Sequence, residues 1–244
     1  MSQIEVLPDD QFRLKFENVC FFHEGQDPIL KNADFEFPIN QVCWVKSEEG
    51  EGKSTLLQLL AALELPRIGD YYINDQSVKE MTFEEFLPIR LKIGYSFDYG
   101  GLINNQTLKE NLLLPLLYHK ILPREQAYRK VEGIIEKFDF VKFGNERPAH
   151  VPGRLRKLTC LLRALIHDPQ LLILDDPFVG LGNETSIKLI QYIQQLRLNG
   201  IAQSLFLSTY DEKLASMLNP EILNIDGGQI YQTVLTTEKS VANL

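Results

Sequence analysis

A lysine followed by two hydroxyl residues, at the end of a glycine-containing segment, is the first group in this sequence that can do chemistry. The segment Ser47–Thr55, SEEGEGKST, lies between a strand-like run and a helical pattern. Backbone N–H groups of such a loop, together with a helix N-terminus, surround a phosphate. Lys53 is expected to reach the β- and γ-phosphates of a nucleotide, and Ser54 to ligate Mg²⁺. Gly50 and Gly52 are expected to let the backbone approach the phosphates.

The loop departs from the usual G-x-x-x-x-G-K-[ST] pattern at its first position, where Ser47 replaces glycine. If that position needs a positive φ, a residue with a side chain costs roughly 1–2 kcal/mol there, which weakens the loop without abolishing it. Three acidic residues, Glu48, Glu49 and Glu51, flank the expected anion site. The alternative interpretation is a solvated turn that precedes an amphipathic helix.

Two adjacent carboxylates follow a buried strand later in the chain. The run Leu171–Leu174 is too apolar for an edge strand, and Asp175, Asp176 and Pro177 come directly after it. Ligands of open α/β sheets bind at this carboxyl edge. Asp175 is expected to hold Mg²⁺ through its water shell, and Asp176 to act on an attacking water. The alternative is that both acids cap a helix.

Strand-like runs and helical patterns alternate along the chain, which predicts an α/β protein. The middle of the chain, from about Lys92 to Lys157, has a mainly helical pattern. The expected strands are Arg13–Val19, Ala33–Phe37, Val42–Lys46, Leu171–Leu174, Ser204–Leu207 and a hairpin of Glu221–Ile225 with Gln229–Tyr231, and the expected helices are Lys53–Leu63, Leu108–Tyr118, Glu125–Phe138 and Glu184–Leu196.

Composition sets the class of the molecule. The chain has 244 residues, 44% hydrophobic, with 25 Lys+Arg against 33 Asp+Glu and a formal charge of −8. This is enough for a sizeable core, in one domain or one domain with an inserted subdomain. The acid excess disfavours a nucleic-acid partner.

The sequence begins without a secretory pattern and no apolar stretch approaches the ~20 residues of a membrane span, so a cytosolic chain is expected. Three scattered cysteines predict core packing rather than disulfides or zinc.

The order of these motifs resembles that of the ATP-binding subunit of ABC (ATP-binding-cassette) transporters, over about Phe12 to Tyr231. The resemblance implies a P-loop NTPase cassette with a RecA-like mixed-sheet core, an antiparallel β subdomain and an inserted α-helical subdomain. It implies one domain over residues 1–244, with the helical subdomain at 92–160 and a tail at 233–244. The segments that carry it are FFH at Phe21–His23, SEEGEGKST, RAL at Arg163–Leu165 with Asp168-Pro169, LLILDDPFVGLG from Leu171, and STYD at Ser208–Asp211.

The resemblance also implies ligands and partners. ATP and Mg²⁺ are the expected cofactors, with Phe22 or His23 stacked on adenine, and Phe21 in the core. A homodimer is expected, bound at the cytoplasmic face of the inner membrane through permease subunits that dock near Asp98–Leu116. The segment Phe97–Leu102 with the TLKEN and LPL runs that follow is most similar to lipid-transport ATPases of the Mla/Mce type. A lipid-carrier protein is therefore an expected partner, and no nucleic acid is.

Several positions that the family uses for hydrolysis are altered. Asp176 replaces the catalytic glutamate, Tyr210 the switch histidine, and Asp98 a glutamine, although Asp98 remains able to ligate Mg²⁺. The signature segment reads VPGRL, in which Gly153 is retained and Arg154 either contacts a phosphate or is solvated or paired with a carboxylate. Slow or impaired hydrolysis is therefore expected, and the alternative is an inactive pseudo-ATPase that acts as a scaffold or regulator of a membrane complex.

Overall fold

The computed structural model of the protein describes residues 12–98 and 101–233. Its strands are β1 Leu14–Phe21, β2 Leu30–Phe37, β3 Val42–Lys46, β4 Ile68–Ile73, β5 Gln76–Ser77, β6 Ile93–Ser96, β7 Leu171–Leu174, β8 Ser204–Ser208, β9 Glu221–Asp226 and β10 Gln229–Thr233. Its α-helices are α1 Lys53–Leu60, α2 Phe83–Arg90, α3 Leu108–Tyr118, α4 Arg124–Lys137, α5 Gly153–Leu165, α6 Asn183–Leu198 and α7 Glu212–Ser216.

A six-stranded sheet in the order β10-β9-β3-β8-β7-β6 carries the expected functional residues. Strands β9, β3, β8, β7 and β6 run parallel, and β10 is antiparallel to β9. Because neighbouring parallel strands end at the same edge, the loop after β3 and the carboxylates after β7 lie on one side of the sheet. The predicted α/β fold with a mixed-sheet core is confirmed.

Successive side chains of the central strands point to opposite faces of the sheet, and each face is covered by its own hydrophobic core. Trp44, Leu172 and Leu205 face the core formed with α3 to α7. Cys43 and Phe206 face the opposite core, formed with α1 and the smaller sheet. Successive side chains of a strand point to opposite faces, so a central strand buried on both sides must be apolar throughout.

The smaller sheet is antiparallel, in the order β2-β1-β4-β5. The predicted hairpin of β9 and β10 meets it, since the Lys31 N–H donates to Gly228 O over 2.9 Å. The sheet matches the antiparallel part that was expected, but β4 and β5 had not been predicted. Their short sequences contain Asp70, Gly69 and polar residues that give no clear strand pattern.

The prediction of a mainly helical middle region is wrong at its start. Residues Ile93–Ser96 form strand β6, which pairs with β7 in the central sheet. Gly94 packs so closely on α5 that a Cβ there would lie 2.2 Å from Ala164 O. The helical part begins after β6, with α3 opened by a capping box of Thr107 and Glu110. The division of the chain into subdomains stays a prediction, and residues 234–244 of the expected tail lie outside the described residues.

The cysteine prediction is correct for Cys43 and Cys160, which are buried, but wrong for Cys20. Cys20 is half-buried, and its thiol donates a hydrogen bond of 3.1 Å to Asn32 Oδ1. Among the helices within the described ranges, none is long and apolar enough to cross a membrane.

Candidate nucleotide site

The ammonium group of Lys53 lies inside the loop that precedes α1. Its Nζ donates to Ser47 O at 3.1 Å, to Ser47 Oγ at 3.3 Å and to Glu48 O at 3.2 Å. Lys53 is only 9% exposed, although it belongs to a residue type that is rarely buried. The loop therefore surrounds the ammonium with three of its own oxygen atoms, two carbonyls and one hydroxyl.

Both loop glycines adopt a left-handed backbone conformation. Gly50 has φ +84° and Gly52 has φ +99°, in the region that favours glycine. A Cβ on Gly52 would lie 2.1 Å from the side chain of Ile29, so the close approach excludes larger residues as well. Ser47 does not have a positive φ, so the strain expected there is not present. The departure from the pattern costs the loop no backbone energy of that kind.

The two hydroxyl residues after Lys53 have different environments. Ser54 is exposed, whereas Thr55 is buried in the first turn of α1. Helix α1 packs against β7 and β8, which brings its N-terminus to the carboxylates that follow β7. Mg²⁺ takes hard oxygen ligands and keeps several waters, so one carboxylate, one hydroxyl and nucleotide phosphates complete its shell. Asp175 and Ser54 are residues of these two types, and their binding of Mg²⁺ stays a prediction.

Asp175 is held by a hydrogen bond from the neighbouring strand. Ser208 Oγ, at the end of β8, donates to Asp175 Oδ1 over 2.6 Å and accepts from the Asp176 N–H over 2.9 Å. Asp175 is 4% exposed. Both carboxylate positions thus depend on one buried hydroxyl, which sequence reasoning had not assigned to the site.

Asp176 is in an unfavourable environment for a carboxylate. Its φ is +40°, a left-handed value that few non-glycine residues adopt, and its Oδ1 is buried without a hydrogen-bond partner. Burial, followed by the nearby charges of Asp175 and Asp98, raises the pKa of Asp176, and Lys157 and Lys53 partly oppose this. Strain and an unpaired buried oxygen are typical of functional positions.

Lys157 is a member of the site that the sequence analysis missed. Its Nζ donates to Asp98 O at 2.6 Å and to Asp98 Oδ1 at 3.3 Å, and lies 3.5 Å from Asp175 O. The side chain is 11% exposed. Asp98, expected as a Mg²⁺ ligand, is thus paired with a lysine of α5. Tyr99 and Gly100, which follow it in the sequence, lie outside the described residues.

Tyr210 lies against the phosphate loop. Its ring centroid is 4.7 Å from Lys53 Nζ, and 62% of the residue is exposed. Trp44 Nε1 fixes the preceding residue, since it donates a hydrogen bond of 3.0 Å to Thr209 O. Tyr210 thus contacts the Lys53 ammonium through its ring, a contact that the sequence did not predict.

The remaining expected residues lie around the rim. Phe22 is half-buried and His23 exposed after β1, in the loop whose far end, Ile29, contacts Gly52. Gly153 and Arg154 form the exposed start of α5. Gly153 shares a cavity with Asp98 and Lys157 that Arg154 does not line. Their roles toward a nucleotide stay predictions. Phe21 is fully buried, as expected.

A separate groove of about 440 Å³ opens between β6 and the helices α3 and α5. Exposed apolar side chains lie at its rim, including Phe97, 44% exposed, and Tyr118, 75% exposed. Arg90 and Arg163 also line it, and no carboxylate is among its described lining residues. Burial lowers the pKa of both guanidinium groups. This groove therefore combines apolar surface with positive charge that no carboxylate of its lining neutralises.

A loop that encloses a lysine at the start of a helix, beside a carboxylate fixed at the end of a parallel strand, defines a phosphate-loop nucleotide-binding protein. Residues 30–179 match the family model described as ABC transporter. The chain belongs to this family and is one of its ATP-binding cassettes.

Individual relatives agree with this assignment. The cell division ATP-binding protein FtsE of Haemophilus influenzae is 24% identical over 218 residues, which cover 89% of this chain and 99% of FtsE. The dimeric structure of the bacterial ABC transporter cassette MJ0796 has a TM-score of 0.81 at 24% identity, covering 91% of this chain and 98% of that one. A post-hydrolysis dimer of MJ0796 with ADP and Pi has a TM-score of 0.80. These structures share the fold.

We expect Ser208→Ala to destabilise the protein by about 1–3 kcal/mol, because Asp175 Oδ1 and the Asp176 N–H would lose a shared buried partner. Ser216→Ala removes an exposed hydroxyl bonded to Glu212 O and serves as the matched control, with an expected change within about 0.5 kcal/mol. Urea unfolding of both variants measures the difference. Equal effects of the two substitutions would contradict the role of Ser208.

Proposed function

We propose that this chain binds Mg·ATP and energises a membrane permease by nucleotide-dependent dimerisation, with slow hydrolysis. The observation that carries the proposal is the enclosed Lys53 beside the Asp175–Ser208 pair. Lys53 contacts the phosphates, and Asp175 with Ser54 holds Mg²⁺, which neutralises the polyphosphate. Because Glu48, Glu49 and Glu51 surround the same loop, nucleotide binding depends strongly on the metal.

Slow hydrolysis follows from the residues at the expected catalytic positions. Asp176 is one methylene shorter than glutamate, and a displacement of about 1 Å costs on the order of a hundredfold in rate. Tyr210 carries no positive charge near neutral pH. Pro152, at the start of α5, offers neither a hydroxyl nor an N–H to a phosphate. The chain retains the groups expected to bind nucleotide, whereas the groups expected to cleave it are replaced.

Dimerisation into a homodimer is supported by the exposed residues beside the site. Gly153, Arg154 and Tyr210 are exposed in the single chain. Val179, 57% exposed, is an apolar residue in the same region. The relatives of known structure include a dimeric cassette of the same fold. A second copy that covers this face would bring its Gly153 and Arg154 to the nucleotide.

The groove beside β6 supports a membrane partner. Its apolar rim fits a short permease helix, and Arg90 with Arg163 favours a carboxylate on that helix. Such a partner would hold the chain at the cytoplasmic face of the inner membrane. It would also lie against Phe97, whose neighbour Asp98 belongs to the nucleotide site.

The cargo we propose is a lipid, with a lipid-carrier protein as a further partner. Support comes from the resemblance of Phe97–Leu102 and the following TLKEN run to the Mla/Mce type. FtsE is named as a cell division protein, so a membrane complex of cell division is the competing assignment. Transfer of a fluorescent phospholipid by the reconstituted complex tests the lipid assignment directly.

A second candidate function is a pseudo-ATPase that stabilises a membrane complex. The shorter side chain of Asp176 and the absence of a hydroxyl at Pro152 favour it. In this case nucleotide acts as a structural ligand and turnover is absent even with the permease present.

Lys53→Ala should weaken Mg·ATP binding by about ten- to a hundredfold, because charge-assisted hydrogen bonds to the phosphates are lost. Isothermal titration calorimetry of the purified chain measures the change. Lys79→Ala, at an exposed turn position, is the matched control and should bind as the wild type does. No detectable binding by the wild type at millimolar Mg·ATP would refute the proposal.

Asp176→Glu should raise ATP turnover by about ten- to a hundredfold, since the added methylene brings the carboxylate to its reacting distance. Steady-state phosphate release with the permease present measures it, and Asp176→Asn is the inactive control. An unchanged rate in Asp176→Glu, beside a wild type that already hydrolyses rapidly, would contradict impaired catalysis. Absence of turnover in both would favour the scaffold function.

Leu114→Asp should reduce the fraction of the chain that sediments with membranes in its native cells, because a carboxylate in the apolar part of the groove is costly to bury. Leu198→Asp introduces the same charge at a leucine that is 88% exposed on α6, outside the groove, and is the matched control. Equal membrane association of the two variants would argue against docking in this groove.

A further inference from the structure

Two residues that depart from the family pattern meet at one atom. Ser47 replaces the first loop glycine, Tyr210 replaces the switch histidine, and they are far apart in the sequence. Yet Ser47 Oγ lies 3.3 Å from Lys53 Nζ, and the Tyr210 ring centroid lies 4.7 Å from the same nitrogen. Both departures therefore act on the ammonium group that is expected to bind phosphate.

The ammonium has little capacity left for a ligand while these contacts hold. A lysine has three N–H donors, and Lys53 has three acceptors in its own loop, Ser47 O, Ser47 Oγ and Glu48 O. The tyrosine ring covers a further side of the nitrogen. A phosphate oxygen that binds Lys53 must replace at least one of these partners.

Hydrogen bonds of the adjacent residues fix the backbone around Tyr210. Trp44 Nε1 donates to Thr209 O over 3.0 Å, and Thr209 Oγ1 accepts from the Asp211 N–H over 3.1 Å. Trp44 is itself a member of the larger core. The backbone on both sides of Tyr210 is thus anchored, which keeps the residue within reach of Lys53.

We propose that Ser47 and Tyr210 are positioning residues that hold Lys53 on its own loop in the nucleotide-free chain and thereby lower the affinity for the polyphosphate of ATP. The inference rests on the proposed function in one respect, that Mg·ATP is the ligand. Ring electrons attract the ammonium at its present position, and Ser47 Oγ adds an acceptor there. Binding exchanges these contacts for phosphate oxygens, so removing them favours the bound state.

The role of the ring differs from a contact between the Tyr210 hydroxyl and the γ-phosphate. Tyr210→Phe keeps the ring beside Lys53 and removes only the hydroxyl, whereas Tyr210→Leu removes the ring. With the ring acting on Lys53, Tyr210→Leu tightens binding and Tyr210→Phe leaves it nearly unchanged. With a hydroxyl–phosphate contact, both substitutions weaken binding.

The first experiment is calorimetric titration of the full chain with Mg·ATP. Tyr210→Leu and Ser47→Ala should each tighten binding about two- to fivefold, and the double variant should gain less than the product of the two because they share one ammonium. Tyr210→Phe should bind within twofold of the wild type. Tyr231→Leu, at an exposed tyrosine of β10 outside the groove, is the matched control. Weaker binding by Tyr210→Leu overturns the proposal.

The second experiment needs no nucleotide. The rate at which acetic anhydride modifies Lys53, measured by peptide mass spectrometry relative to the exposed Lys79, should rise at least twofold in Tyr210→Leu and Ser47→Ala but not in Tyr210→Phe. If the wild type binds no Mg·ATP but these reactivities change as expected, the proposed function is refuted. The positioning of Lys53 by Ser47 and Tyr210 then still stands. Normal binding with unchanged reactivity in both variants refutes the positioning role.

Discussion

The hydrogen bond from Ser208 to Asp175 joins the ends of two buried parallel strands, and the site is arranged around it. The same hydroxyl accepts from the Asp176 N–H, so one oxygen determines where both carboxylates lie. Its burial makes the geometry costly to change, because a buried donor or acceptor that loses its partner is not compensated by water. The phosphate loop then meets these carboxylates because α1 packs on the same two strands.

Charge balance is the second constraint on this site. Asp98, Asp175 and Asp176 lie near one another in a chain whose formal charge is already −8. Lys53 and Lys157 oppose these carboxylates, and both are largely buried. The chain therefore compensates these acids with its own lysines, one of which is the lysine of the phosphate loop.

Helix α5 connects the nucleotide site with the groove. Near its start, Lys157 contacts Asp98 and the Asp175 carbonyl. Near its end, Arg163 lines the groove and donates to Gly101 O and to Asn111 Oδ1. The loop that follows β6 contacts the helix at both places. A partner seated in the groove would bear on the same loop that carries Asp98, which is a short physical route between docking and nucleotide binding.

Local patterns in the sequence were enough to predict the phosphate loop, strand β3, the buried strands β7 and β8, the β9–β10 hairpin and the Asp175-Asp176 pair. These features depend on local patterns: glycines beside a lysine, apolar runs too continuous for an edge, and acids directly after a strand. It did not reveal β6 or α2, since a four-residue strand containing Gly94 and a helix without buried residues have weak periodicity. Three contacts became visible only in the folded chain: Lys157 with Asp98, Ser208 with Asp175, and the Tyr210 ring with Lys53. Each joins residues that are distant in the sequence, and such contacts arise from the order of the strands in the sheet, which no local pattern encodes.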